Sequence, residues 1–329
     1  MTPDAPPDAS PEATPDLSVA VVSYNTLDLL RTCLASLHAR QAGGEASLEI
    51  IVADNGSTDG SPAMVRAEFP DVRVIETGGN IGFGRANNLA LEDAQGRYFC
   101  LLNSDAETLP GALRETLAFL ETHPDIGLAG GQLLWPDGRA QTSWGNDPTL
   151  AGVWQEQTWG WREAPPAPSL PAPPELGAGG AKDVDQISGA YMVIRRAAWH
   201  QVGGFDPAYF MYNEDVDLNV RLRRAGWRVV FLPDISIRHH LGASSRADWQ
   251  TRARMVSAYN RSRGYYFTRY EGPGAGRRLR AYCLLGAAIR LAGWSLLAVA
   301  RPQARDKVKL FQEVWRQTWA MSFHESLPS

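Results

Sequence analysis

The run LSVAVVSYNTLDLLRTCLASL at residues 17–37, followed by LEIIVADNGSTDG at 48–60, decides the fold class. Residues 17–22 are apolar apart from Ser18, the pattern of a strand covered on both faces. Leu30, Cys33, Leu34 and Leu37 then recur at helical spacing and predict a helix over roughly 27–40. Residues 48–53 repeat the apolar run as a second strand. Ser61-Pro62 opens a short helix, a cap residue before a first-turn proline. Residues 72–75 (VRVI) read as a third strand, 84–94 as a helix and 97–102 (RYFCLL) as a fourth strand. Pro110 starts a helix with Leu113, Leu117 and Leu120 on one face. This alternation predicts an α/β fold, a Rossmann-like, mostly parallel sheet flanked by helices. Residues 188–196 and 228–232 read as further strands, 214–226 as a helix, and the chain beyond 250 as helical.

The chain has 329 residues, 44% hydrophobic and 21% charged, which excludes a wholly disordered, collagen-like or disulfide-scaffold protein. Residues 1–16, rich in Pro, Asp and Ala, are expected to form a disordered tail and not a secretory signal. Cys33, Cys100 and Cys283 lie far apart among apolar residues, which predicts buried thiols in a reducing, cytoplasmic compartment. The net charge of −4 argues against a nucleic-acid binder, and no nucleic-acid module is visible. That charge is unevenly spread: residues 221–282 carry 14 Arg, no Lys and 3 acids, a local +11 against −15 elsewhere. Such a segment needs an anionic partner or an internal reason. The Pro- and Gly-rich stretch 161–182 reads as a loop, either a linker or an active-site loop.

Ligands of open parallel sheets bind at the carboxyl ends of the strands. Polar residues stand at all four such ends: Ser23-Tyr24-Asn25, Asp54 to Gly60, Gly78 to Gly84, and Asn103-Ser104-Asp105. Together they point to one polar ligand. Asp54 can accept from a pyrimidine N–H or a ribose hydroxyl, and Gly78, Gly79, Gly82 and Gly84 permit close backbone approach without GxGxxG spacing. Asp105, beside the neutral Asn103, is a hard oxygen ligand for Mg2+ or Mn2+ shared with substrate phosphates; capping of the helix near Pro110 is its alternative role. In the cluster Gly203–Asp217, helix capping accounts for Asn213 and Glu214, and Asp217 pairs with Arg221 four residues on. Asp215 shares a face with Leu218 and Leu222, where a carboxylate needs a task, and general base is the natural one. His239 and His240 follow the strand at 228–232, and one of them is a candidate imidazole ligand.

Residues 281–300 have the length of a membrane span. Arg290 at the centre would cost about 2.5–3.5 kcal/mol on insertion, so a helix lying on a membrane surface or buried in the protein is expected instead. Val308, Phe311, Trp315 and Trp319 fall on one stripe, an interfacial or core-packing face. The Arg-rich segment 246–280 suits anionic lipid heads or a lipid-diphosphate acceptor.

VVSYN (21–25), VADNGSTDG (52–60), GGNIGFGRANN (78–88), LLNSDAE (101–107), SGAYMVIRR (188–196), GGFDPAYFMYNEDVDLNVRLRRAGW (203–227) and HHLGASS (239–245), in this order, resemble the family 2 glycosyltransferases of the GT-A fold, particularly their bacterial rhamnosyltransferase-like branch. The resemblance covers roughly 17–246, expected to be a GT-A domain; composition places the tail 1–16 before it and, after it, an Arg-rich, helical region over 247–329 that is a candidate for membrane association. It implies a UDP- or dTDP-sugar donor, Mg2+ or Mn2+, and inversion at the anomeric carbon. The implied acceptor is a hydroxyl of a cell-envelope glycan or lipid-linked sugar, at the inner face of the cytoplasmic membrane. By position, Asp54 is similar to the family's base- or ribose-binding aspartate, beside Ser23 and Asn25, with Gly82, Arg85, Asn103 and Ser104 completing the donor set. Asp105 resembles the last acid of the DxD metal motif, whose first place holds Asn103. Asp215 resembles the catalytic base of the ED pair, with Glu214 the second candidate, and His240 is a better match than His239 to the metal-site histidine. A nucleotidyltransferase would need a basic, Gly-rich loop after the first strand, which VVSYNT does not supply. A non-catalytic nucleotide-sugar or glycan-binding module would be expected to lose Asp105 or Asp215, and both are present.

Overall fold

The computed structural model describes residues 14–159, 180–240 and 248–322. Most of the expected N-terminal tail, the stretch 161–179 and residues 241–245 of the histidine motif lie outside the described residues. The first half follows the expected alternation: β1 (Leu17–Ser23), α1 (Leu27–Ala42), β2 (Leu48–Asp54), α2 (Ser61–Glu68), β3 (Arg73–Glu76), α3 (Phe83–Leu91) and β4 (Tyr98–Asn103). Then come β5 (Ala106–Thr108), α4 (Ala112–Thr122), β6 (Ile126–Leu134), β7 (Trp144–Gly145), α5 (Leu150–Trp159), β8 (Lys182–Asp183), β9 (Gln186–Ile187), β10 (Tyr191–Arg195), α6 (Arg196–Val202), α7 (Glu214–Arg224) and β11 (Arg228–His239). Three helices close the chain: α8 (Trp249–Glu271), α9 (Pro273–Ala300) and α10 (Arg305–Ala320).

The main sheet has the order β3-β2-β1-β4-β10-β6-β11-β5, with β8 paired to β11. β1 to β4 are mutually parallel. β10 enters antiparallel between β4 and β6, and β11 resumes parallel to β6. Consequently the ends of β1, β2, β4 and β11 and the start of β10 share one edge. The apolar stripe of α1 (Leu30, Cys33, Leu34, Leu37) is wholly buried on one face of the sheet. Ala86 and Ala90 of α3, Trp199 of α6 and Leu218 and Leu222 of α7 fill the other.

β5 to β9 are strands that the sequence does not announce, and β11 is longer than expected. β6 (IGLAGGQLL) is a buried strand that its glycines conceal. They are there for space: a Cβ on Gly130 would sit 2.3 Å from the Ile187 side chain, and one on Gly131 2.6 Å from the Ile235 carbonyl. β11 does not end at 232. A register shift against β6 between Leu232 and Ser236 carries it past Pro233, so that it ends with His239 opposite Ala106.

The C-terminal helices pack on the rest of the chain through their arginines. Arg263 of α8 pairs with Glu156 of α5 at 3.0 Å, both buried. Arg290, the charge that argues against a span, points into the protein. Its guanidinium donates to Gln157 O and Oε1 and to Glu156 O, with the Phe311 ring alongside. Elsewhere Arg221 pairs with Asp217, Arg223 with Asp147, Arg228 with Asp125 and Asp183, Arg238 with Glu107, and Arg269 with Asp206. Much of the positive section is thus matched inside the fold. On α10 the expected single stripe divides: Leu310, Phe311, Val314 and Thr318 face the bundle, while Trp315 and Trp319 face away. Each i,i+4 step rotates about 40° around a helix, so from Phe311 to Trp315 and Trp319 the stripe drifts off the packing groove.

Replacing one partner of the Glu156–Arg263 pair strands a buried charge. Arg263→Met is expected to lower urea-unfolding stability by about 3–5 kcal/mol, and Glu156→Leu in the same chain to restore most of it.

Candidate active site

The shared sheet edge gathers the polar strand ends. Asp54 closes β2 at 2% exposure. Its Oδ2 accepts from the Gly56 and Ser57 N–H groups at 3.2 and 2.9 Å, while its buried Oδ1 has no donor among the described residues. A buried carboxylate oxygen without a donor is a place for a ligand N–H or O–H. Asn25, at a φ of 54°, ties the turn after β1 to the turn after β2: its Oδ1 accepts from Thr58 N at 2.7 Å and its own N–H donates to Ser57 Oγ. Ser23, Thr26 and Ser104 form a hydroxyl chain between the ends of β1 and β4, with steps of 3.1 and 3.0 Å. Asn55, which the sequence reading did not single out, donates to Asn80 Oδ1 and accepts from Ile81 N, fixing the glycine-rich loop.

The end of β11 brings a histidine to the end of β4. His239, 5% exposed, has Nε2 3.2 Å from Asp105 Oδ1 and 3.4 Å from Asn103 Nδ2. His240 points instead to Glu107, which also pairs with Arg238. Asp105 does not cap α4, because β5 intervenes and Gly111 holds the cap position. Gln141 settles the imidazole. Its Nε2 donates to the His239 carbonyl at 2.6 Å, which orients the amide and leaves Oε1 to accept from Nδ1 at 3.0 Å. In neutral His239 the proton is therefore on Nδ1, and Nε2 turns a lone pair toward the Asp105 carboxylate. Either a second ring proton or a metal ion between them would satisfy these two acceptors 3.2 Å apart. The donor set of one carboxylate and one imidazole, with the second ring nitrogen tied back to the protein, fits a divalent cation whose remaining ligands come from a bound phosphate. Among the described residues no third His, Cys, Asp or Glu joins them.

The acid pair stands on strained backbone. Tyr212 and Asn213 have φ of 69° and 63°, in the left-handed region. Each such residue costs about 1–3 kcal/mol and persists only where its surroundings over-determine it. They do so here. Phe83 N and Ser262 Oγ donate to the carbonyls of Phe210 and Met211, Arg85 Nε to Pro207 O, and Asn88 clasps Phe205 through two 2.8 Å bonds. From α8, Tyr265 reaches Asp206 and the Tyr259 ring meets Tyr212 edge-on at 5.7 Å. Asn213 takes the N-cap position of α7 without a side-chain cap bond, so capping does not explain it or Glu214. Asp217 pairs with Arg221, as its spacing predicts, and also accepts from Tyr270.

Burial raises the pKa of both acids, and each is adjacent to the other. Asp215 has compensation that Glu214 lacks. The Gly189 and Val216 N–H groups donate to its two oxygens at 3.1 and 2.9 Å, and part of its surface stays open. Glu214 is buried, and its Oε2 has no partner among the described residues. The negative charge therefore resides on Asp215 and the proton on Glu214.

Gly82 and Arg85 meet the acid-pair loop. A Cβ on Gly82, at a φ of 93°, would fall 2.2 Å from Phe210 O, so this glycine is required by the loop's approach. Gln141, Asn88 and Gly189 escaped the sequence reading. Each is an ordinary polar or small residue whose partner lies tens of residues away; Asn88 and Gly189 stood within quoted motifs, at 78–88 and 188–196, without being singled out, and Gln141 stood in none.

Comparison with known proteins places this geometry. The family models for Glycosyl transferase family 2 and Glycosyl transferase family group 2 match residues 18–168 and 98–323. The chain is 30% identical over 318 residues to the N-acetylglucosaminyl-diphospho-decaprenol L-rhamnosyltransferase of Mycobacterium tuberculosis, covering 90% of this chain and 98% of that protein. Among solved structures, the mannosyltransferase PcManGT of Pyrobaculum calidifontis, in complex with GDP-Man and Mn2+, is similar with a TM-score of 0.51 and 18% identity, over 96% of this chain and 89% of that one. TarS 1-349 of S. aureus in complex with UDP gives 0.53 and 15%, over 93% and 90%. These structural likenesses show the GT-A fold.

The acid pair sets a pH dependence. A carboxyl whose pKa is raised by folding stabilises the folded state below the unfolded pKa, about 4.3 for Glu, and that advantage is lost as pH rises toward the folded value. Glu214→Gln removes this penalty. Denaturant midpoints should show the variant more stable than the parent at pH 8, by roughly 1–3 kcal/mol, with the gap closing near pH 4.

Proposed function

The chain belongs to the family 2 glycosyltransferases, and on that premise we propose that it moves a sugar, with inversion, from a UDP- or dTDP-sugar to a hydroxyl of a lipid-linked sugar diphosphate. The name of the mycobacterial relative supports rhamnose as the sugar and a polyprenyl-diphosphate sugar as the acceptor. The observation that carries the reading is Asp215, a partly exposed carboxylate held by two backbone N–H groups at the sheet edge where Asp54 ends β2 and Asp105 follows β4.

In this reading Asp54 Oδ1 accepts from the pyrimidine or ribose of the donor, and the Ser23–Thr26–Ser104 hydroxyls line the path toward its diphosphate. Asp215 takes the proton of the acceptor hydroxyl. The freed oxygen forms its bond to the anomeric carbon on the face opposite the diphosphate, whose own bond to that carbon breaks. Attack from the opposite face inverts the configuration. A Mg2+ or Mn2+ ion held by Asp105 and His239 would supply neutralisation of charge on the leaving diphosphate. Glu214, protonated, keeps a second negative charge away from Asp215.

Thermal stability against a panel of UDP-, GDP- and dTDP-sugars, with and without Mn2+, tests the donor. A metal-dependent upward shift confined to UDP- or dTDP-sugars, absent in Asp54→Ala, supports the assignment; a shift with GDP-mannose alone contradicts it. Asp215→Asn should lose about 10²–10⁴-fold in turnover while keeping the donor-induced shift. Unchanged turnover would remove Asp215 from the mechanism. Gln141→Leu frees the imidazole of His239 to rotate. Calorimetric titration of Mn2+ in the presence of UDP should show an affinity about 10–100-fold weaker, with the fold intact by circular dichroism.

A further inference from the structure

The transfer reading does not use the outer face of α9. Of the described helices, α9 alone is long and apolar enough to cross a membrane by length and composition. It packs along one flank against α5, α8 and α10, and that flank carries the buried Arg290. The opposite flank is bare. Ala281, Leu285, Ala288, Ala292, Leu296 and Val299 are all exposed and succeed one another at three- and four-residue steps, one stripe about 27 Å long. Leu296 is 77% and Val299 89% exposed. α10 doubles back along α9, since Arg280 donates to Met321 O and Lys307 lies over the Trp294 ring. It adds Trp315 and Trp319, stacked at 5.6 Å, the latter 65% exposed.

Charge identifies the occupant. Residues 273–322 hold nine Arg and Lys against two acids, and α9 itself contains no acid. Both acids are engaged within α10, Asp306 with Lys309 and Glu313 with Arg316. Arg277 and Arg278 stand exposed at one end of the bare stripe, Arg301 and Arg305 at the other. None of these four has a carboxylate partner among the described residues. An apolar stripe bracketed by arginines, beside exposed tryptophans, has the chemistry of a bilayer interface: acyl chains for the stripe, anionic head groups for its two ends. A span is excluded, because crossing would strip Arg290 of its Gln157 and Glu156 partners.

We propose that α9 and α10 form a monotopic docking face that lies flat on an anionic lipid bilayer, with the Ala281–Val299 stripe sunk into the head-group boundary. This face is independent of the donor and acceptor assignments, although a lipid-linked acceptor would reside in the same bilayer.

The test is co-sedimentation of the full chain with vesicles of phosphatidylcholine alone and with about one third phosphatidylglycerol. Binding to the anionic vesicles is expected, falling as salt is raised. Leu296→Asp with Val299→Asp should weaken it by about tenfold or more at an unchanged melting temperature, since both side chains are exposed. Arg277→Glu with Arg278→Glu should abolish the preference for the anionic vesicles. Absence of sedimentation with either vesicle, or parental binding by both variants, overturns the proposal. So does a dimer in light scattering that Leu296→Asp with Val299→Asp splits, which would make the occupant a second copy of the chain. The nucleotide-sugar stability panel, run on the same proteins without vesicles, reads the transfer assignment separately.

Discussion

The turn at Tyr212-Asn213 is the constraint on which the site depends. Two consecutive non-glycine residues in the left-handed region are held there by α3 on one side and α8 on the other. The strain aims the first turn of α7 so that Glu214 is enclosed and Asp215 meets the Gly189 and Val216 N–H groups. Relaxing it would free the two acids to share water and return to ordinary carboxylates. The C-terminal helices therefore help to hold the acid-pair loop: α8 contributes Ser262 to the Met211 carbonyl, Tyr265 to Asp206 and Tyr270 to Asp217.

The parallel half of the sheet was legible because its strands are covered on both faces and its helices carry uninterrupted apolar stripes. Leu30, Cys33, Leu34 and Leu37 are buried as their spacing predicts. The strand-end polar groups followed from the same logic, since a buried parallel strand can turn polar only at its ends. β6 was illegible because three glycines in nine residues dilute its apolar run, and the reason for them lies in Ile187, Ile235 and Trp227, far off in sequence. The reach of β11 to His239 was hidden by Pro233, a residue tolerated there by the register shift.

The two histidines show where residue type alone stops. Both follow Arg238 and both can bind a cation, yet His239 is the last residue of β11 and His240 lies just beyond it, and their side chains diverge. That divergence gives His239 to Asp105 and His240 to Glu107. Gln141, which fixes the tautomer, is 98 positions away from His239. No local pattern announces such a partner. The arginines are a similar case: their excess over 221–282 reads as a demand for an anionic ligand, and much of that demand is met by acids brought in from distant strands and helices.

The three unpaired cysteines turn the fold into its own kinetic reporter. Cys33 lies on the buried face of α1 with its thiol donating to Asn103 O, Cys100 lies in the middle of β4, and Cys283 is buried on α9. Burial pushes all three thiols above their ordinary range, so in the closed molecule none is an effective nucleophile. Alkylation at each position then counts only the moments when its own layer opens: the helix α1, the centre of the sheet, or the terminal bundle. A protein with one thiol per layer lets local fraying be separated from global unfolding without any introduced label.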